Sequence, residues 1–123
     1  MSVKKILTVS DTPVMQRFLQ YNLAERGYQV TSTPNNRGKL KAALYEELPD
    51  MVILDVMMPT LEGIELCLYI KQQFDIPILV LSACGSSTNK FRGLDLRAGD
   101  YLTEPFGILD LVTRIDNVIS SNA

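Results

Sequence analysis

Histidine is absent from the chain, which removes imidazole-based acid–base catalysis and histidine metal ligation from consideration. Cysteine is scarce. Cys67 and Cys84 are far apart and make no CxxC or metal-type spacing, so they read as small buried apolar residues of a reducing cytosol. No apolar run approaches the roughly 20 residues of a membrane span, and Lys4-Lys5 leads only into Ile6-Leu7, the start of a strand rather than a signal peptide. A cytoplasmic protein without a membrane partner is expected. Basic clusters are also missing, and the net charge is −2, which argues against direct nucleic-acid binding by this segment. There is no internal repeat and no low-complexity tract. What remains is an ordinary globular composition, 46% hydrophobic and 21% charged over 123 residues, enough for one domain with a single core. Residues 1–120 are read as that domain and 121–123 as the start of a linker or a truncated end.

Strand and helix signals alternate along the chain. Residues 4–9 read as a strand, followed by Ser10-Asp11; Thr12 suits an N-cap and Pro13 the first helical position. Val14, Phe18, Leu19 and Leu23 recur at helical spacing, and Gly27 ends that helix. A second strand covers 28–32. The turn at 33–36 caps a helix to about 48, with Leu40, Ala43, Leu44 and Leu48 as its apolar stripe and Pro49 as its stop. Gly63 opens a further helix carrying Leu66, Ile70 and Phe74. Strands at 78–81 and 100–103 and helices at 89–97 and 108–119 complete five strands alternating with five helices. That pattern predicts a doubly wound α/β fold, a parallel sheet with helices on both faces and right-handed crossovers.

The central stretch is Met51-Val52-Ile53-Leu54-Asp55-Val56-Met57-Met58-Pro59. A run apolar on both faces is the signature of a strand inside a parallel sheet, so Asp55 falls at its carboxyl end, the rim where open α/β sheets bind ligands. A carboxylate there suits a metal ligand or a nucleophile, or a turn cap. With strand order 2-1-3-4-5, the ends of strands one, three, four and five share this rim and bring Asp11, Asp55, Ser82 and Glu104 together. Carboxylates with backbone carbonyls and waters suit magnesium, Mg²⁺, while a hydroxyl and loop N–H groups suit phosphoryl oxygens. The combination fits phosphoryl transfer to a carboxylate.

The motifs Ile6-Leu7-Thr8-Val9-Ser10-Asp11, Ile53-Leu54-Asp55-Val56-Met57-Met58-Pro59, Leu81-Ser82-Ala83 and Gly99-Asp100-Tyr101-Leu102-Thr103-Glu104-Pro105-Phe106 resemble, in this order, the receiver domains of bacterial two-component response regulators. The resemblance implies the flavodoxin-like (CheY-like) fold and a sensor histidine kinase as partner. It implies that Asp55 is the phosphoacceptor and Asp11 a direct Mg²⁺ ligand, with the Met57 backbone carbonyl as another. Ser82 corresponds to the switch hydroxyl and Tyr101 to the switch aromatic. Taken alone, Ser82 would read as a turn residue and Tyr101 as an edge-strand aromatic. Any enzymatic role is limited to self-catalysed phosphotransfer and dephosphorylation. An unrelated enzyme with an aspartate nucleophile would need a second nearby acid, which Ser10 does not supply.

Two residues depart from the family pattern. Ser10 stands where the first of two acids is usual, at the metal's edge, and Glu104 stands where a lysine is usual. The lysine contact to a phosphoryl group is worth roughly 1.5–3 kcal/mol. A carboxylate in its place removes that and adds repulsion of about 3 kcal/mol at ~5 Å and an effective dielectric near ~20. Weak Mg²⁺ binding and a short-lived phosphoryl group are expected, or else an atypical receiver that acts as a protein-interaction module without phosphorylation. The segments 90–101 and 109–115 resemble the winged-helix (OmpR-like) branch, which dimerises through its fourth helix, fifth strand and fifth helix. Asp100 and Arg114 match pairing positions, and Lys90, Arg92, Asp95 and Asp110 could join them. A solvated mixed-charge surface reads the same residues more plainly. The branch also implies control of transcription through a DNA-binding domain beyond Ala123.

Overall fold

A computed structural model of the chain describes residues 3–34, 36–56, 69–70, 72–74, 76–82, 100–103 and 107–121. Five strands are seen: β1 (Lys5–Val9), β2 (Gln29–Thr33), β3 (Met51–Val56), β4 (Ile78–Ser82) and β5 (Asp100–Thr103). All neighbouring pairs run parallel, in the order β2-β1-β3-β4-β5, as the alternating pattern required. Three helices are described in full, α1 (Pro13–Glu25), α2 (Arg37–Glu47) and α3 (Ile108–Ser121), and Tyr69, Ile70, Gln72 and Gln73 are also helical. The start of the helix expected from Gly63 and the one at 89–97 lie outside the described residues. Among the described residues no helix is long and apolar enough to cross a membrane.

The core has two layers because β1 and β3 are apolar on both faces. Leu7, Val9, Val52, Leu54, Ile78 and Val80 pack with Leu40 and Leu44 of α2 and with Ile70 on one side. Ile6, Met51, Ile53, Leu79 and Leu81 pack with Leu19 and Leu23 of α1 and with Leu111, Ile115 and Val118 of α3 on the other. Each fully buried aliphatic side chain of this kind stabilises the fold by about 1.5–3 kcal/mol. Along β3 the side chains alternate, so Asp55 follows Met51 and Ile53 toward the α1/α3 side.

Polar groups fix the register. At the amino end of β1, Lys5 N–H donates to Asp50 Oδ2 at 2.7 Å, and Asp50 N–H returns a bond to the Lys5 carbonyl at 2.8 Å. This two-way tie aligns β1 with β3. Thr8 is fully buried but satisfied, its hydroxyl 2.9 Å from that of Ser32. Tyr28, just before β2, donates its hydroxyl to Asp116 of α3. Burial, then the hydrogen bond and charge of Asp116, push this phenol up to about 12.

Several local expectations need correction. Thr12 has the extended backbone of an N-cap, but its side chain makes no capping hydrogen bond; Asn36 does cap α2, accepting from Lys39 N–H at 3.0 Å. Val14 and Leu48 are each 68% exposed and do not belong to the apolar stripes of their helices. Val14 lies in the first turn of α1, ahead of the buried Leu19 and Leu23, and Leu48 lies beyond the end of α2 in the left-handed region, φ 47°. The last helix runs through Ser121, past the expected stop at 119, so polarity alone did not end it. Gly27 adopts φ 91° at the end of α1, where a side chain would be strained.

Candidate active site at the carboxyl rim of the sheet

Val9 pairs with Leu54 in the β1–β3 register, so the residues one step further, Ser10 and Asp55, face each other at the rim. Asp55 is 3% exposed and Ser10 is fully buried. Ser10 Oγ donates to Asp55 Oδ2 at 2.7 Å, the length of a charge-assisted O–H···O bond. The other carboxylate oxygen, Oδ1, is also out of reach of solvent.

Ser10 is itself held from several directions. Its N–H donates to the Thr33 carbonyl at 3.0 Å, and its hydroxyl oxygen accepts from Thr12 N–H at 3.1 Å. Gln16, on the first turn of α1, points its amide nitrogen at the Ser10 carbonyl, 2.5 Å, and at the Thr33 carbonyl, 3.3 Å. Two carbonyl acceptors fix which end of the amide faces them. The helix begins here because Pro13 supplies a preset φ at its first turn, and Gln16 N–H closes onto the Thr12 carbonyl at 3.0 Å.

Asp11 follows Ser10 at the same rim and is exposed. Ser82 ends β4, where its backbone pairs with Val56 and with Thr103 of β5; Tyr101 pairs with Val80. Strand topology therefore brings positions 10, 55, 82 and 103 to one edge. Met57 and Glu104 lie outside the described residues, as do Lys90, Arg92 and Asp95. Asp110 and Arg114 are exposed on α3, and Asp100 opens β5.

Among the described residues no group of three or more histidine, cysteine, aspartate or glutamate side chains comes together. Asp11 and Asp55 supply hard oxygen donors, and one or two carboxylates with retained waters is the usual protein share of a Mg²⁺ site. The donor chemistry thus fits this ion, and Oδ2 is engaged by the Ser10 hydroxyl. Sequence reasoning placed Ser10 at this rim but missed its bond to Asp55, and it missed Gln16 altogether. The available signal was a hydroxyl one step past strand one, directly across from Asp55, and an amide within one helical turn of it.

Residues 6–116 match the family described as the response regulator receiver domain. The alkaline phosphatase synthesis transcriptional regulatory protein PhoP of Bacillus subtilis is 41% identical over 117 residues, 94% of this chain and 48% of PhoP. The chain thus spans about half the length of that relative. Among solved structures, the BeF3-activated N-terminal receiver domain of Klebsiella pneumoniae RstA superposes with a TM-score of 0.82 at 26% identity, covering 94% of this chain and 98% of that one. The receiver domain of the Francisella response regulator 1452 gives 0.82 at 30% identity, covering 98% and 99%.

Proposed function

The chain belongs to the response regulator receiver domains of two-component signalling, and from that premise we propose that Asp55 is its phosphoacceptor. The observation that carries this is the place of Asp55: a nearly buried carboxylate at the carboxyl end of the central strand, held by a hydroxyl from the neighbouring strand end. The family match and a relative described as a transcriptional regulator favour this reading over a phosphorylation-independent interaction module.

In the proposed reaction an Asp55 oxygen attacks the phosphorus of a donor such as a kinase phosphohistidine. The P–N bond breaks, a P–O bond forms, and the product is a mixed anhydride that water later hydrolyses. Receiver domains generally use Mg²⁺; here Asp11, Asp55 and the Met57 carbonyl would hold it. Bound there, the ion would neutralise charge on the phosphoryl oxygens. The protein's own part is mainly positioning: Ser10 orients the carboxylate, and Ser82, whose backbone pairs with Val56 one step past Asp55, is the residue whose hydroxyl would meet the phosphoryl group. Tyr101 is the aromatic that follows Ser82 in switching. Glu104 in the lysine position shortens the life of the phosphorylated state by charge repulsion.

In this reading the output face comprises β5, α3 and the segment 89–97, which lies outside the described residues, and Asp100, Asp110 and Arg114 with Lys90, Arg92 and Asp95 would pair across a two-fold homodimer. The likeness to PhoP supports the OmpR-like branch, with DNA bound by a further domain outside residues 1–123 and a sensor histidine kinase as partner in the cytoplasm. Residues 1–120 are the receiver unit in this reading.

Incubation with Mg²⁺ and acetyl phosphate tests the central claim. Intact-mass and peptide mass spectrometry should show one phosphoryl group on Asp55, absent from Asp55→Asn. Phosphorylation at another residue, or none at millimolar donor, would refute it.

A further inference from the structure

The Ser10 hydroxyl has one proton to donate, and it goes to Asp55 Oδ2 at 2.7 Å. One of its two lone pairs is taken by Thr12 N–H at 3.1 Å. Its backbone is fixed on both sides, by Ser10 N–H to Thr33 and by Gln16 to the Ser10 carbonyl. Ser10 is therefore a clamped donor aimed at the carboxylate, with little left to offer a cation. Asp55, meanwhile, presents no ready oxygen to an ion arriving from the rim: Oδ1 is shut off from solvent and Oδ2 carries the Ser10 bond. Entry of a dication needs the carboxylate to turn, and turning breaks the bond to Ser10.

The geometry points to Ser10 as a positioning residue that competes with the divalent cation for Asp55, a brake on metal loading set by Gln16. This deepens the phosphoacceptor reading and rests on it only in taking Asp55 as a cation-binding carboxylate. A family acid at this position would draw the ion in; a clamped hydroxyl holds it off. The two roles predict opposite signs for one substitution. If Ser10 assisted the metal, directly or through a water, its removal would weaken binding. As a competitor, its removal strengthens binding by the value of the lost bond. A hydrogen bond to a charged group corresponds to roughly tenfold to a hundredfold in an equilibrium constant.

The test is a titration of the whole chain with Mg²⁺ alone, followed by backbone amide NMR shifts of residues at the rim. Ser10→Ala should lower the Kd at least about tenfold, and Ser10→Thr, which keeps the hydroxyl, should restore the wild-type value. Gln16→Leu, which frees the Ser10 carbonyl without touching Asp55, should lower the Kd by a smaller factor and decides the matter if Ser10→Ala does not fold. An unchanged or raised Kd in the folded variants overturns the inference, as does a wild-type chain and variants that show no Mg²⁺-dependent shift. Mass spectrometry of the same samples after acetyl phosphate treatment separates the two claims. Tightened binding without phosphorylation sinks the phosphoacceptor reading and leaves the competition standing. Phosphorylation with unchanged binding does the reverse.

Discussion

Replacing Asp55 by asparagine should make the metal-free protein more stable. The wild-type side chain is 3% exposed, and holding an ionised carboxylate out of water carries an effective penalty of several kcal/mol. The Ser10 hydroxyl at 2.7 Å returns about 1.5–3 kcal/mol of it. Asparagine keeps an oxygen acceptor for Ser10, has nearly the same shape, and loses the charge. The expected gain is about 2 kcal/mol, a rise in the thermal midpoint of roughly 6–10 °C for a chain of this size. Urea denaturation followed by far-UV circular dichroism in chelator-treated buffer measures it; the midpoint should move with the slope unchanged. A second limb uses linkage. Mg²⁺ that binds only the folded wild-type protein stabilises it by RT ln(1 + [L]/Kd), so the gap should narrow as Mg²⁺ is added, because the asparagine protein gains little. Equal or lower stability of Asp55→Asn without metal would refute the reasoning. It would mean that the carboxylate is well compensated in the fold and is not a site where stability is given up for chemistry.

Two further outcomes follow from the packing. Ile53→Ala, at a fully buried position between β3 and the α1/α3 layer, should cost about 2–5 kcal/mol in urea denaturation; a loss well under 1 kcal/mol would mean that this layer is loosely packed. Tyr28 is pushed up to about 12 from 10.0, first by burial and then by Asp116. Its folded pKa lies above its unfolded one, so the stability it contributes is fully present below pH 10 and is lost as pH rises through about 12. The stability difference between wild type and Tyr28→Phe, constant at neutral pH, should shrink over that window; a difference that stays level would contradict the assigned shift.

The fold was readable because its strongest signals are redundant. Met51 to Leu54 are buried on both faces, so the run could only be an interior strand, and the rim residue after it followed. Pro13 and Asn36 marked helix starts by stereochemistry and capping, not by periodicity. Periodicity misled at helix ends. Val14 and Leu48 hold the right spacing, but Val14 sits in the opening turn of α1 and Leu48 just past the end of α2, and there an apolar residue meets water. At the site, the approach of positions 10 and 55 was legible from strand order alone. The bond between them was not, since hydroxyl direction depends on what fixes the serine backbone. That is the work of Gln16, whose amide reaches carbonyls of two strand ends. An amide in a first helical turn has no pattern to announce such a contact.

Gln16 also ties mechanics to chemistry. One planar amide spans the last carbonyl of an edge strand and the residue that grips Asp55, so those two chain ends cannot shift independently. The opening turn of α1 is bolted to the same junction through Thr12. A load applied at the Asp55 carboxylate is therefore felt at once on the outer strand and helix, on the flank of the domain opposite β5.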